Sequence, residues 1–241
     1  MTVINPHGRS PFLLLGDHAG NAIPGALGTL GLDDADQARH IAWDIGVGAL
    51  GARLAVLLDA VFVRQTYSRL VIDCNRDPAS AEAIPETSDG TAIPGNAGLG
   101  AAARGARVAA IHAPYQAAIA AEIARRTAAG QGTVLVSLHS FTPVMAGVAR
   151  PWAIGVLHDG GNDGFALRLL ARLRARAGLI AADNEPYRMD ATDHTVPRHA
   201  FAAGLAYAEL EIRQDLLAGE DDVARWGALL AEALPEAGRG G

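Results

Sequence analysis

Hydrophobic and polar positions alternate along this chain in runs short enough to separate strands from helices. "FLLLGDHAGN" starts with four consecutive apolar residues and ends in a polar turn, which reads as a buried strand at residues 12–15. "DDADQARHIAWDIGVGALGARLAVLLD" spaces Ile41, Ile45 and Leu50 close to helical periodicity behind Asp33 or Asp34 as a cap, which predicts a long helix. "AVFVRQTYSRLVIDCNRDP" holds two apolar runs, predicting strands at 60–65 and 69–73. Residues 77–100 are rich in Pro, Gly and Ser and predict a long loop, a length that usually serves function or is disordered. A helix over about 101–129, in two parts broken near Pro114, leads into a strand at 132–138. "WAIGVLHD" predicts a further strand, 163–177 a helix, and "LIAADNEPY" a strand running into a loop. "LAYAELEIRQDL" predicts the last strand and 220–234 the last helix.

Strands alternate with helices, no internal repeat is visible, and no linker divides the chain. The expectation is one α/β domain over residues 1–241, with a mostly parallel or mixed central sheet flanked by helices. In such sheets ligands collect beyond the carboxyl ends of strands. Asp17–His18, Asp73–Asn75–Arg76, His139–Ser140 and Asp183–Glu185 all follow predicted strands. A lone imidazole such as His139 at the end of an apolar run is ordinarily a core residue; four polar strand ends together point to a site.

Composition narrows the chemistry. Of 241 residues, 50% are hydrophobic and 19% charged, a globular balance, and the net charge of −6 gives no support for a nucleic-acid or membrane-surface partner. All 20 basic residues are Arg. Without Lys there is no Schiff-base lysine, no phosphate-loop lysine and no Ser–Lys dyad. One cysteine, Cys74, excludes an internal disulfide and a cysteine metal cluster, and a half-buried thiol at a strand end is usually inert. The N-terminal apolar run is too short for a signal segment or a membrane span, so a cytoplasmic protein is expected.

Individual motifs carry unequal weight. "GVGALG" (Gly46, Gly48, Gly51) matches a dinucleotide fingerprint, but it lies within a helical stretch rather than after a strand, where small residues serve close helix packing. No G-x-S-x-G is present. The third residue after His18 is Asn21, a poor zinc ligand, and H-E-x-x-H is missing. His40 and Asp44 stand four apart on the predicted helix, a spacing shared by metal pairs and ordinary hydrogen-bonded pairs. His18, His139 and one carboxylate would make a His₂–carboxylate metal set. In "ELEIRQD", period-2 alternation puts Glu209, Glu211 and Arg213 on one strand face. That is costly unless they form a buried ion pair or act as a general base beside an anion-binding Arg. Arg69, Asn75 and Arg76 in "YSRLVIDCNRDP" suit a two-pronged grip on a carboxylate, or a loop braced by Asp73 and Asp77.

The blocks "FLLLGDHAGNAIP", "HIAWDIG", "YSRLVIDCNR", "SDGTAIPGN", "LVSLHSFTPV", "DNEPY" and "EIRQDL", in this order, resemble the N-formylglutamate amidohydrolases over about residues 5–235. That family is similar in fold to the zinc carboxypeptidases. The resemblance implies a zinc or other divalent-metal hydrolase acting on a small-molecule N-acyl amino acid, with His18 and His139 as metal ligands. It implies Asn75 and Arg76 as the grip on the substrate α-carboxylate with Arg69 as helper, and Glu211 as general base. Asp44 is the expected third ligand, with Asn21 or a water in reserve, and Arg69 or Arg213 the expected oxyanion partner. Tyr187, His194 and His199 are expected in the walls. A non-catalytic binder of acidic metabolites on the same fold is the alternative.

Overall fold

The computed structural model describes residues 1–239. Seven strands form one mixed sheet: β1 (Thr2–Ile4), β2 (Phe12–Gly16), β3 (Val61–Arg64), β4 (Val134–Phe141), β5 (Ile154–Leu157), β6 (Ala181–Asp183) and β7 (Ala206–Arg213), in the spatial order β1-β3-β2-β4-β7-β5-β6. Strands β3, β2, β4 and β7 run parallel, β1 is antiparallel to β3, and β5 pairs antiparallel with β7 and parallel with β6.

Side-chain alternation divides the sheet into two faces. Leu14, Val136, Leu138, Ala208, Leu210 and Ile212 enter one core together with helices α2 (Val47–Leu57), α5 (Gly164–Arg174) and α6 (Glu220–Gly238). Each large aliphatic chain fully buried there stabilises the fold by roughly 1.5–3 kcal/mol. Leu13, Leu15, Val63, Leu135 and Tyr207 point to the other face and pack with α4 (Ala113–Ala128) and long loops. Ser137, His139, Glu209 and Glu211 share the parity of this second face, and their strands register Glu209 with Ser137 and Glu211 with His139. The polar positions of two adjacent strands therefore line up on one side of the sheet.

Two predicted elements differ. The long helix over 33–59 is two helices, α1 (Asp34–Ala38), capped by Asp33, and α2. Arg39 is extended, and Gly46 at φ +84° opens α2 in a conformation that glycine adopts without strain. Residues 39–46 between them bond to other loops: Asp44 N–H to His18 O, and Ala42 O to Arg69 N–H and Ser68 Oγ. Residues 69–73 are not a strand. Their peptide groups are served by Ala83 O, by Asn96 Nδ2 on Leu70 O and by Arg107 Nη1 on Val71 O, so the apolar run is a buried loop. The strand-end rule also fails at Asp183. Strands β5 and β6 run against β7, so Asp183 lies beside His158 (3.1 Å), away from the other polar strand ends.

The predicted helix over 101–129 appears as α3 (Ala101–Arg107) and α4 joined by a wide turn at Val108–His112, which absorbs Pro114 at the start of α4. The 77–100 loop is ordered through Asn96 and Arg107 (2.6 Å) and through Arg104 on Ser80 O. The glycines of "GVGALG" do pack α2: a Cβ at Gly48 would lie 2.8 Å from Ala19 O, and one at Gly51 would overlap the Phe62 ring. No helix among the described residues is long and apolar enough to cross a membrane.

Candidate active site

The second sheet face opens into a cleft of about 470 Å³. At its floor two imidazoles, 121 residues apart in sequence, meet edge to face with ring centroids 5.1 Å apart. His18 follows β2, His139 lies within β4, and the irregular 39–46 segment inserts Asp44 between them. Asp44 Oδ2 lies 3.0 Å from His139 Nδ1 and 3.5 Å from His18 Nδ1, and all three residues are buried. One ligand-type atom from each of the three residues lies within 4.8 Å of the other two.

The outer nitrogen of each ring is tied separately. His18 Nε2 donates to Asp73 Oδ1 at 2.7 Å, and His139 Nε2 meets Ser137 Oγ at 3.0 Å with Asp17 Oδ2 3.7 Å away. An imidazole whose Nε2 hydrogen is held by a carboxylate keeps the lone pair of Nδ1 aimed inward. His18 Nδ1 is buried without a hydrogen-bond partner. Two inward Nδ1 atoms and one carboxylate oxygen, with carboxylates behind the rings, fit a divalent cation that accepts nitrogen and oxygen ligands. Asn21 is elsewhere, its amide on Gln37 O at 3.4 Å, and His40 turns to Asp89 (3.4 Å).

Electrostatics match the burial. Desolvation pushes the Asp44 carboxyl up, but the two imidazoles overcome it and hold it well below the usual carboxylate range. Burial lowers both His18 and His139; for His18, Asp73 and Asp44 outweigh it, and for His139, Glu209 and Asp44 do, so both end raised. Arg69 bridges two carboxylates, with Nη2 on Asp73 Oδ2 at 2.7 Å and Nη1 3.4 Å from Asp44 Oδ1.

Glu209 and Glu211 line the cleft from β7. Each has one buried oxygen without a hydrogen-bond partner. Burial pushes Glu209 up to about 7, against the pull of His139, and pushes Glu211 well above the usual value. Arg213 does not join them. At the end of β7 its guanidinium pairs with Asp215 (2.8 Å) and borders a separate apolar pocket, so the period-2 grouping of all three side chains breaks at the last position. It therefore drops out as an oxyanion partner.

Asn75 and Arg76 also line the cleft. The Asn75 side chain is mainly a tie: Oδ1 accepts from His194 N–H (3.0 Å) and Thr195 N–H (2.9 Å), and Nδ2 donates to Asp193 Oδ1 (3.2 Å). Arg76 Nη1 donates to Asn75 O (2.9 Å) and Thr192 O (3.3 Å), and Nη2 has no partner among the described residues. Tyr187 also lines the cleft, whereas His194 and His199 do not: the His194 N–H is bonded to Asn75 Oδ1 and His199 Nε2 meets Gln116 Oε1 at 2.6 Å. Sequence reasoning placed Asp17 and Asp73 at strand ends that point to the site, with Asp73 also a loop brace, and gave neither of them nor Glu209 a stated role in catalysis or ligation. The missed signal was chemical: two inward imidazoles need partners for their outer nitrogens.

A mixed α/β sheet with a His–Asp–His cluster beneath an acidic cleft defines a hydrolase-type site rather than a nucleotide fold. Comparison with known proteins narrows the class. The sequence profile of the N-formylglutamate amidohydrolases matches residues 10–218, and the chain belongs to that family of hydrolases. It is similar to the crystal structure of a gene product of Agrobacterium tumefaciens, with 39% identity and a TM-score of 0.94 over 98% of this chain and 93% of that one. It shares its fold with an N-formylglutamate amidohydrolase from Ralstonia eutropha, with 19% identity and a TM-score of 0.69 over 99% of this chain and 97% of that one. No curated relative matches.

Proposed function

We propose that this chain is a zinc-dependent amidohydrolase that removes the N-formyl, or another small N-acyl, group from an acidic amino acid such as N-formylglutamate in the cytoplasm. The observation that carries the reading is the convergence of His18 Nδ1, Asp44 Oδ2 and His139 Nδ1 below a cleft that also holds Glu211. When bound by those three residues, a zinc ion would polarise the acyl carbonyl and acidify a water.

The protein's own groups do the rest. Arg76, through its free Nη2 edge, takes the substrate carboxylate, with Asn75 holding the neighbouring segment in place and Arg69 adding positive charge at the floor. This fixes the acyl carbon in one pose over Glu211. Glu211 accepts a proton as the water oxygen bonds to the acyl carbon. It then returns that proton to the amine nitrogen as the C–N bond breaks, releasing formate or another small acid and the free amino acid. A buried carboxyl whose proton affinity is raised suits both transfers.

The test is release of formate from N-formylglutamate by protein of measured metal content, with and without chelator. Loss of turnover with the metal and its return with added zinc are expected. Glu211→Gln should keep the metal and lose at least ~100-fold in turnover. A fully active metal-free enzyme would refute the metal reading. Stoichiometric zinc with no hydrolysis of any N-formyl or N-acetyl amino acid would refute the substrate reading.

A further inference from the structure

The proposed reaction gives the acyl oxygen no hydrogen-bond donor from the chain itself. As the acyl carbon becomes tetrahedral its oxygen turns anionic, and a preorganised donor there is worth a large share of the barrier. Arg213 is outside the cleft, and Arg69 already spends Nη2 on Asp73 and faces Asp44 with Nη1. The chain supplies another donor in the same cleft.

Tyr187 lines the cleft and is 40% exposed. Its hydroxyl oxygen accepts from Arg150 Nη1 at 3.0 Å. A guanidinium can only donate, so the hydroxyl's own hydrogen must point away from Arg150. No acceptor for that hydrogen exists among the described residues. Arg150 is fixed in turn: its guanidinium carbon stands 4.9 Å from the Tyr187 ring centroid and 5.9 Å from that of Phe141. Burial and then the charge of Glu211 raise the Tyr187 phenol, with Arg150 opposing, so the hydroxyl keeps its hydrogen through the neutral range. Tyr187 lines the same cleft as Glu211, Arg69, His18 and His139.

We infer that Tyr187 is a catalytic residue whose hydroxyl, aligned by Arg150, donates a hydrogen bond to the substrate acyl oxygen as it becomes anionic. The inference rests on the amidohydrolase reading above. No proton is transferred: the hydrogen stays on Tyr187 while the acyl oxygen gains charge, and water and Glu211 keep the balance already written. The bond strengthens only as charge develops, so its loss belongs in kcat rather than KM.

Tyr187→Phe keeps the ring and its contact with Arg150 and removes only the hydroxyl. The zinc-loaded variant is expected to lose about 100-fold in kcat with KM within about threefold of the parent. A second readout uses binding alone. A phosphinate analogue with tetrahedral phosphorus in place of the acyl carbon should bind Tyr187→Phe weaker by about the same factor, while glutamate binds as before by calorimetry. A kcat within threefold of the parent, a loss confined to KM, or unchanged phosphinate affinity would overturn the inference and leave the hydrolase reading standing. A parent protein that hydrolyses no N-acyl amino acid would overturn both.

Discussion

Asp73 ties three groups of the site together from behind the His18 ring. Its Oδ1 receives His18 Nε2 at 2.7 Å and Asn75 N–H at 2.8 Å, and its Oδ2 receives Arg69 Nη2 at 2.7 Å. Asp73→Asn preserves the shape and leaves a single acceptor oxygen. Turned toward His18, that oxygen keeps two bonds but sets the new NH₂ against Arg69, donor to donor. Turned toward Arg69, it leaves His18 and Asn75 facing the NH₂. Either way at least one charge-assisted bond, worth ~1.5–3 kcal/mol, is lost inside a buried network. Removing a carboxylate from behind a metal-binding imidazole typically costs 10–100-fold in affinity, about 1.4–2.7 kcal/mol, and the two routes to the magnitude agree. The assay is competition for zinc between the protein and a chromophoric chelator, with a thermal melt of the metal-free variant to confirm folding. A folded Asp73→Asn protein whose zinc affinity stays within twofold of the parent would show that the His18 ring needs no carboxylate to aim it.

Other consequences are open to direct measurement. Arg76→Ala should weaken hydrolysis of substrates with a free carboxylate far more than of their neutral amides, and equal losses on both would remove Arg76 from carboxylate binding. Cys74, fully buried with its thiol pushed up chiefly by desolvation, should resist iodoacetamide in the native protein and react only on unfolding, as mass spectrometry of the native and denatured protein can show. Burial, then Arg198, lowers His199 to about 4, whereas an unfolded histidine titrates near ~6.5. Between those values the unfolded chain binds a proton that the native state refuses, so stability falls as pH drops from about 6.5 to 4. The loss is at most ~3 kcal/mol, and less to the extent that water screens the ring. His199→Gln should remove that part of the slope in urea melts taken across the window, and an unchanged slope would contradict the burial argument.

Much of the architecture is readable from periodicity because sheet parity and helix spacing are local. The run at Phe12–Leu15, the alternation through Tyr207–Glu211 and the stretches that become α4 to α6 each announce their own element. The stretches that carry the site are less readable. Residues 39–46 keep an apolar rhythm, yet their peptide groups bond to His18, Ser68 and Arg69, partners that no local pattern reveals. Residues 69–73 have strand composition because they are buried, while Asn96 and Arg107 side chains replace the missing strand partner. Arg213 leaves the cleft because Asp215, two residues on, takes its guanidinium, although its backbone stays in register with Phe141. Asp183 was misplaced because strand direction is a tertiary property.

The Asn75 amide has a practical consequence for anyone reshaping this cleft. One side chain stitches the 73–76 turn to the 193–195 segment through three bonds, and His112 Nε2 donates to the Arg76 carbonyl. The wall that would recognise the substrate is thus a single seam sewn from both sides. A graft that imports only one of the two loops from a related enzyme leaves backbone N–H groups with nowhere to go, so new selectivity has to be transplanted as a matched pair.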